Sequence, residues 1–176
     1  MRNRWKGMWM LVTAALLVSP IVLQASTGAL PLEQQVRHEL LMLPYYKVFD
    51  TLSFQVNGGI VTLSGQVTRP TLKADAERAV ARIPGVTSVD NQVEVLPLSP
   101  SDYRIRLAEL RAVYGNSALL RYNLGAIAPI RIIVKNGHVT LEGVVASEMD
   151  KTVAGLAANG VSGVFSVTNN LRVSNS

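Results

Sequence analysis

The sequence repeats itself at an offset of 78 residues, and this repeat limits the possible folds more than any other feature. Residues 54–96 align with residues 132–174 without a gap. Recurring residues include Val61-Thr62-Leu63 with Val139-Thr140-Leu141, Gly65 with Gly143, and Gly85 with Gly163. Similar composition alone does not keep glycines in register. We therefore predict two copies of one fold in tandem.

Each copy has the pattern of a β-hairpin followed by a helix and a third strand. Apolar residues alternate over 52–57 and 61–67, which is the period of half-buried strands. Gly58-Gly59 and Asn136-Gly137 separate the two strands and suit two-residue type I′ turns. A helix also precedes each hairpin. We predict an α+β fold: two tandem α-β-β-α-β modules, each a small three-stranded mixed sheet with two helices packed on it.

Helix boundaries are marked by capping residues. The first helix is expected over 32–43, before Pro44, and Pro70 suits the first position of the second helix. Ser99-Pro100-Ser101-Asp102 resembles a capping box, and Ser147 suits an N-cap. Two apolar faces are predicted on the helices of the second copy. One contains Tyr103, Leu107, Leu110 and Tyr114, with Ile105 pointing away; the other contains Val153, Ala154, Leu156, Ala157 and Ala158.

The start of the chain has the pattern of a secretory signal. Arg2, Arg4 and Lys6 precede sixteen uncharged residues, Met8–Leu23, a run short for a membrane span. Cleavage after Ala25 or Ala29 is expected, and retention as an anchor is the alternative. With no cysteine for a lipid anchor, we predict an exported, soluble periplasmic protein. The predicted divisions are a signal peptide at 1–29, domains at 30–97 and 101–176, and a linker at 98–100.

The repeated motifs resemble the BON domain, named for osmotically inducible periplasmic and nodulation proteins. Val-Thr-Leu-x-Gly-x-Val occurs at Val61–Val67 and Val139–Val145, and a Gly-Val pair precedes each last strand. The motif glycines, which we interpret as structural, are Gly65, Gly85, Gly143 and Gly163. The resemblance implies a non-enzymatic envelope module linked to phospholipid surfaces and envelope stress.

The sequence offers little for catalysis or metal binding. The two histidines, His38 and His138, are interpreted as surface residues, and they lack ligand spacing. No phosphate loop, nucleophile elbow or dinucleotide fingerprint occurs. We therefore predict no catalytic residues, metal, cofactor or small-molecule substrate. Export and the modest charge that remains without the signal disfavour nucleic acid as a partner.

Charge distinguishes the two copies. Residues 32–97 carry six basic and seven acidic residues, net −1, whereas residues 101–176 carry eight and five, net +3. Arginines beside an apolar helix face favour a lipid headgroup surface. Residues 114–129 contain an insertion of about eight residues, which serves either as a contact surface or as core packing. The predicted lipid- or partner-binding residues are Arg104, Ile105, Arg106, Arg111, Leu119, Leu120, Arg121 and Tyr122.

Two functions remain open at this point. The first is weak, salt-sensitive, peripheral binding to anionic phospholipid, mainly through the second domain. The alternative is a chaperone-like or scaffold module that binds envelope proteins through sheet edges and the insertion. Charge reversal of the arginines distinguishes them, because only the first depends on electrostatic attraction.

Overall fold

The computed structural model describes residues 30–125 and 127–174. The first module consists of α1 (Leu32–Leu41), β1 (Thr51–Asn57), β2 (Ile60–Val67), α2 (Pro70–Ala81), β3 (Ser88–Asn91) and β4 (Glu94–Val95). The second consists of α3 (Pro100–Tyr114), a 3₁₀ helix (Ser117–Asn123), β5 (Ile130–Lys135), β6 (His138–Val145), α4 (Glu148–Asn159) and β7 (Ser166–Val173).

Each module forms a mixed sheet with the hairpin at one side. β1 pairs with β2 antiparallel and β5 with β6 likewise, while the strand after the second helix pairs parallel with the hairpin's second strand. In the first module this last strand is broken into β3 and β4, which both pair with β2. Each sheet thus has three strand positions, and helices pack on it. This confirms the predicted α+β fold of two tandem modules.

Turns and caps form where the sequence predicts them. Gly58, Gly59, Asn136 and Gly137 all adopt positive φ, as a type I′ turn requires. The Ser99 and Ser147 hydroxyl oxygens each accept a hydrogen bond of 3.1 Å, from the backbone N–H of Asp102 and Asp150. α1 ends at Leu41, two residues earlier than expected, as helix ends commonly do.

Each module has its own core under its sheet. Val61, Leu63 and Val67 of β2 are fully buried, and Val139, Leu141 and Val145 repeat this in β6. The α2 side chains Leu72, Ala76 and Val80 cover the first core, and Ala154 and Ala158 of α4 cover the second. The duplication of the sequence is thus a duplication of the core.

The two modules dock through the segment before β1. The Ile132 N–H donates to the Val48 carbonyl at 2.9 Å, so residues of the first module cover the open edge of β5. Arg131 donates to the Lys47 carbonyl at 2.8 Å and stacks on the Tyr46 ring. Val48 and Phe49 pack against the core of the second module. The sequence left this docking open.

None of the helices within residues 30–125 and 127–174 is long and apolar enough to cross a membrane. The predicted signal at 1–29 lies outside the described residues.

Candidate functional site

Helix α3 buries a partly polar face instead of the predicted Tyr103, Leu107 and Leu110 face. Tyr103 is more than half exposed, and the other two are only partly buried. The expected outward direction of Ile105 is therefore wrong. The buried residues of α3 are Asp102, Ile105, Arg106, Glu109, Val113 and Tyr114.

Hydrogen bonds to the backbone explain why polar residues face inward. The Asp102 carboxylate accepts from the Asn136 and Gly137 N–H groups, both at 2.9 Å, and so holds the β5–β6 turn. Arg106 Nη2 donates to the Val134 carbonyl at 2.7 Å. Burial lowers the pKa of Arg106, while the charges of Asp102 and Asp50 act in the opposite direction. Ile105 and Arg106, predicted as contact residues, therefore lie inside the module.

Glu109 is the most unusual residue of this face. Its side chain is fully buried, and neither carboxyl oxygen has a hydrogen-bond partner among the described residues. Loss of hydration disfavours the charged form, so burial raises the pKa of Glu109 to about 7. The second module thus contains a carboxyl group that takes up or releases a proton near neutral pH.

The insertion divides between core and surface. Leu119 and Tyr122 are buried, as the core-packing alternative requires. The Tyr122 hydroxyl donates to Asp150 Oδ2 at 2.8 Å and accepts from the Ala146 N–H at 2.7 Å. Leu120 is about half exposed, contrary to that alternative. Leu119 and Tyr122 are consequently not available to a lipid or protein partner.

Arg121 joins the insertion to α4. Its Nη2 lies 2.8 Å from Asp150 Oδ1, and its side chain stays mostly exposed. Burial raises the pKa of Asp150. Hydrogen bonds from Tyr122 and Ser147 and the charge of Arg121 together lower this pKa by more than burial raises it, so the net shift is downward. Arg121 therefore has part of its charge neutralised within the protein.

The outer layer of the second module is positively charged because its acids are turned inward. Helices α3 and α4 pack on each other and on the sheet, and the 3₁₀ helix contacts both. Of the acids on these three elements, Asp102, Glu109 and Asp150 are buried and Glu148 is exposed. Arg104 and Arg111, one heptad apart on α3, are both exposed. Because the elements that carry them are in contact, these two arginines belong to the same outer layer as Leu120 and Arg121.

The equivalent layer of the first module carries mixed charge. Helices α1 and α2 expose basic and acidic side chains in similar number, and Arg78 pairs with Asp75. The exposed charged residues are Glu33, Arg37, Glu39, Glu77, Arg78 and Arg82. The two outer helix layers therefore differ in which charges they expose, and this accounts for only part of the difference in net charge between the copies.

Sequence reasoning missed two exposed apolar residues on α4, Met149 and Leu156, which are 70% and 69% exposed. The prediction that Leu156 faces the core is wrong. α4 packs through small residues, and Gly155 lies so close to the sheet that a Cβ there would meet Asn169 Nδ2 at 2.8 Å. The spacing of Ala154, Gly155 and Ala158 was the signal that pointed to this face.

The histidines lie at the surface. His38 is exposed on α1, and His138 Nδ1 is 2.7 Å from the Ser166 hydroxyl, beside the Phe165 ring. Within the described part of the chain no group of three or more His, Cys, Asp or Glu side chains could hold a metal ion.

Solved structures that are similar to this chain include two from Chlamydia trachomatis. One is CdsD, described as a structural protein of the type III secretion system, with 16% identity, 82% of this chain and 93% of that chain covered, and a TM-score of 0.29. The other is the C-terminal domain of CdsD, with 16% identity, coverage of 84% and 99%, and a TM-score of 0.30. No curated protein matches the chain.

The family comparison is more informative. The model of the BON domain matches twice, at residues 31–97 and 111–175. BON domains are associated with phospholipid-binding and envelope stress proteins, and the family is generally non-catalytic. Each match covers one hairpin, the helix after it and the last strand. The chain therefore belongs to the BON domain family and contains two BON domains in tandem.

Proposed function

We propose that this protein is a non-enzymatic, periplasmic envelope protein that binds anionic phospholipid surfaces weakly and reversibly through the outer helix layer of its second domain. The observation that carries the proposal is the inward orientation of Asp102, Glu109 and Asp150, which leaves Arg104 and Arg111 exposed with little opposing charge. The basic start of the chain, followed by an apolar run, supports export.

Electrostatic attraction alone makes this binding weak. A basic residue close to an anionic leaflet contributes about 1 kcal/mol. Arg104 and Arg111 with the partly neutralised Arg121 would then give roughly 2–3 kcal/mol, which corresponds to a Kd above about 1 mM. Stronger binding requires apolar side chains that enter the headgroup region.

Exposed apolar side chains on the same layer supply that contribution. Leu120 lies on the 3₁₀ helix, and Met149 and Leu156 on α4. A fully buried side chain of this size contributes about 1.5–3 kcal/mol, and a partly inserted one contributes less. Added to the arginines, two such contacts give at most about 5–9 kcal/mol, so the expected Kd lies between millimolar and micromolar. The layer thus combines the two features of a peripheral lipid-binding surface.

Charge reversal tests the proposal. We expect Arg104→Glu with Arg111→Glu to weaken binding to anionic vesicles at least about 10-fold, since each reversal replaces attraction with repulsion. Both side chains are exposed, so the free energy of unfolding should change little. Co-sedimentation with vesicles rich in phosphatidylglycerol, together with urea unfolding, measures the two effects.

The matched control reverses two exposed arginines of the first domain, Arg78→Glu and Arg82→Glu. This variant has the same net charge as the test variant, and it should pellet like the wild type. Equal loss in both variants would mean that overall charge, not the second domain's outer layer, determines binding. Unchanged pelleting of the test variant would favour a protein partner bound elsewhere.

A further inference from the structure

A groove of about 750 Å³ lies where the first domain, the linker and α3 meet. This volume is within the range of small-molecule sites. Its apolar walls are formed by Tyr45 and Phe49 before β1, Leu98 of the linker, and Tyr103 and Leu107 of α3. The residues that line the groove include none of the proposed lipid-contact residues, although Tyr103 and Leu107 belong to the same helix as Arg104 and Arg111.

The apolar side chains at the rim remain exposed instead of closing over the groove. Leu98 is 97% exposed, in a segment bounded by Pro97 and Pro100, whose rings restrict the backbone. Tyr45 is 61% exposed and has a positive φ of 68°, which is uncommon for a residue other than glycine. A cluster of exposed apolar side chains beside an open groove is typical of a binding site.

The charged residues that line the groove are all basic. They are Lys47, Arg69 and Arg106, and none of the described residues that line it is acidic. Arg69 stacks on Tyr45, with its guanidinium carbon 4.8 Å from the ring centroid. Lys47 and Arg69 are exposed at the rim. An occupant with a negative charge is therefore favoured over a neutral or positive one.

Arg106 gives the second, independent indication of an anion. It is only 6% exposed, its Nε has no hydrogen-bond partner, and it forms no ion pair within the described residues. The nearby carboxylates are already engaged by backbone N–H groups. Asp102 accepts from Asn136 and Gly137, and Asp50 accepts from Lys47 and Thr68. A buried guanidinium with an unpaired donor is costly unless an anion completes it.

We propose that this groove binds one single-chain anionic amphiphile, with the carboxylate or phosphate head at Arg106, Lys47 and Arg69 and the acyl chain along Phe49, Leu98, Tyr103 and Leu107. Such a ligand combines the charge and the apolar length that the lining requires. Binding occurs to the monomeric amphiphile in solution, so it does not depend on contact with a membrane surface.

Isothermal titration calorimetry tests the proposed binding. The protein is expressed from the full sequence and purified without detergent. The probes are laurate, dodecyl phosphate and dodecyltrimethylammonium, each below the concentration at which micelles form. We expect both anionic probes to bind with one site per chain and the cationic probe to bind at least 10-fold more weakly. If laurate and dodecyl phosphate differ, the tighter one identifies the head group. No binding of either anion, or equal binding of the cation, would overturn the proposal.

A change at the buried Arg106 could unfold the domain, so two variants change exposed residues of the groove instead. Lys47→Ala with Arg69→Ala should weaken laurate binding at least 10-fold, and Leu98→Ser with Tyr103→Ser should do the same. Arg78→Ala, on α2, is the control and should bind like the wild type. Unchanged binding in both groove variants would overturn the assignment of the site. So would concentration-dependent self-association that the Leu98→Ser, Tyr103→Ser variant abolishes, since a second copy would then occupy the groove.

Vesicle pelleting of the same variants separates this proposal from the proposed function. The Leu98→Ser, Tyr103→Ser variant should pellet with anionic vesicles like the wild type, because Arg104 and Arg111 are intact. Loss of laurate binding with unchanged pelleting is the expected pair of results. Loss of pelleting with unchanged laurate binding would place vesicle contact at the groove and contradict the separation of the two sites.

Discussion

Gly143→Ala is expected to unfold the second domain. Gly143 has a φ of +125°, a conformation that side chains with a Cβ rarely adopt. A Cβ at this position would also overlap the carbonyl oxygen of Pro129, which belongs to the backbone and cannot rotate away. Backbone strain of about 1–3 kcal/mol adds to the cost of moving β5, and the sum approaches the whole stability of a small domain. Urea unfolding followed by circular dichroism measures the loss.

The first domain offers a parallel case and a control. Gly65 has a φ of +121°, and a Cβ there would overlap the Thr51 carbonyl, so Gly65→Ala should destabilise the first domain in the same way. Gly58 also has positive φ, but it has open space around it, and Gly58→Ala should cost only about 1–2 kcal/mol. A Gly143→Ala protein with the wild-type urea midpoint would contradict the close approach of β5 and β6.

Glu109→Met is expected to remove a pH dependence of stability. The pKa of Glu109 is about 7 in the folded domain, against 4.5 for an unperturbed glutamate, so the folded state binds the proton more tightly. Its contribution to stability is complete below pH 4.5 and is lost as the pH rises to about 7. Between pH 5 and pH 8 the wild type should lose roughly 2–3 kcal/mol of unfolding free energy from this group. The methionine variant should lose none of it.

Urea unfolding at pH 5 and pH 8 measures the effect, and the comparison of variants cancels the titration of other groups. Glu148→Met is the matched control, because Glu148 is an exposed glutamate of the same domain. The control should keep the wild-type pH dependence. The same pH dependence in Glu109→Met and the wild type would show that the carboxyl is already charged or hydrogen-bonded in the folded protein.

Local rules and the repeat were enough to predict the architecture. The type I′ turns, the Ser99 and Ser147 caps and the proline at the start of α2 depend on residues close in sequence, and each formed as expected. The duplication added a second copy of the hairpin turn and of the strand pattern, whereas the serine caps occur only in the second module. Gly65 and Gly143 recur because a backbone lies against each of them, a reason that only the structure provides.

The orientation of α3 could not be predicted from its hydrophobic pattern, because this pattern does not include the partners that a polar side chain finds elsewhere in the chain. Asp102 and Arg106 are buried by hydrogen bonds to the β5–β6 turn and to Val134, which are distant in sequence. Ile105 and Arg106 are therefore buried instead of lying on the outer surface of the helix, and Arg104 and Arg111 remain as the exposed pair. Helix α4 shows the converse case, since its small residues face the sheet and Leu156 faces outward.

The docking of the domains also depends on contacts between distant residues. Thr51 Oγ1 donates to Glu142 Oε2 at 3.1 Å, and Lys135 Nζ lies 2.5 Å from Glu94 Oε1. Hydrogen bonds from Gln66 and Lys135 lower the pKa of Glu94. Nothing in the local pattern of either copy indicates these pairs. The groove beside the linker is a consequence of this docking, so it could not be predicted from either copy alone.

Vesicle co-sedimentation of the wild-type protein tests the central claim most directly. Vesicles rich in phosphatidylglycerol are compared with phosphatidylcholine vesicles at 50 and 500 mM salt. We expect pelleting with the anionic vesicles at low salt, much less at high salt because exposed charges are screened, and none with the zwitterionic vesicles. Equal pelleting with both lipids, or pelleting that high salt leaves unchanged, would contradict an electrostatic membrane contact through the second domain.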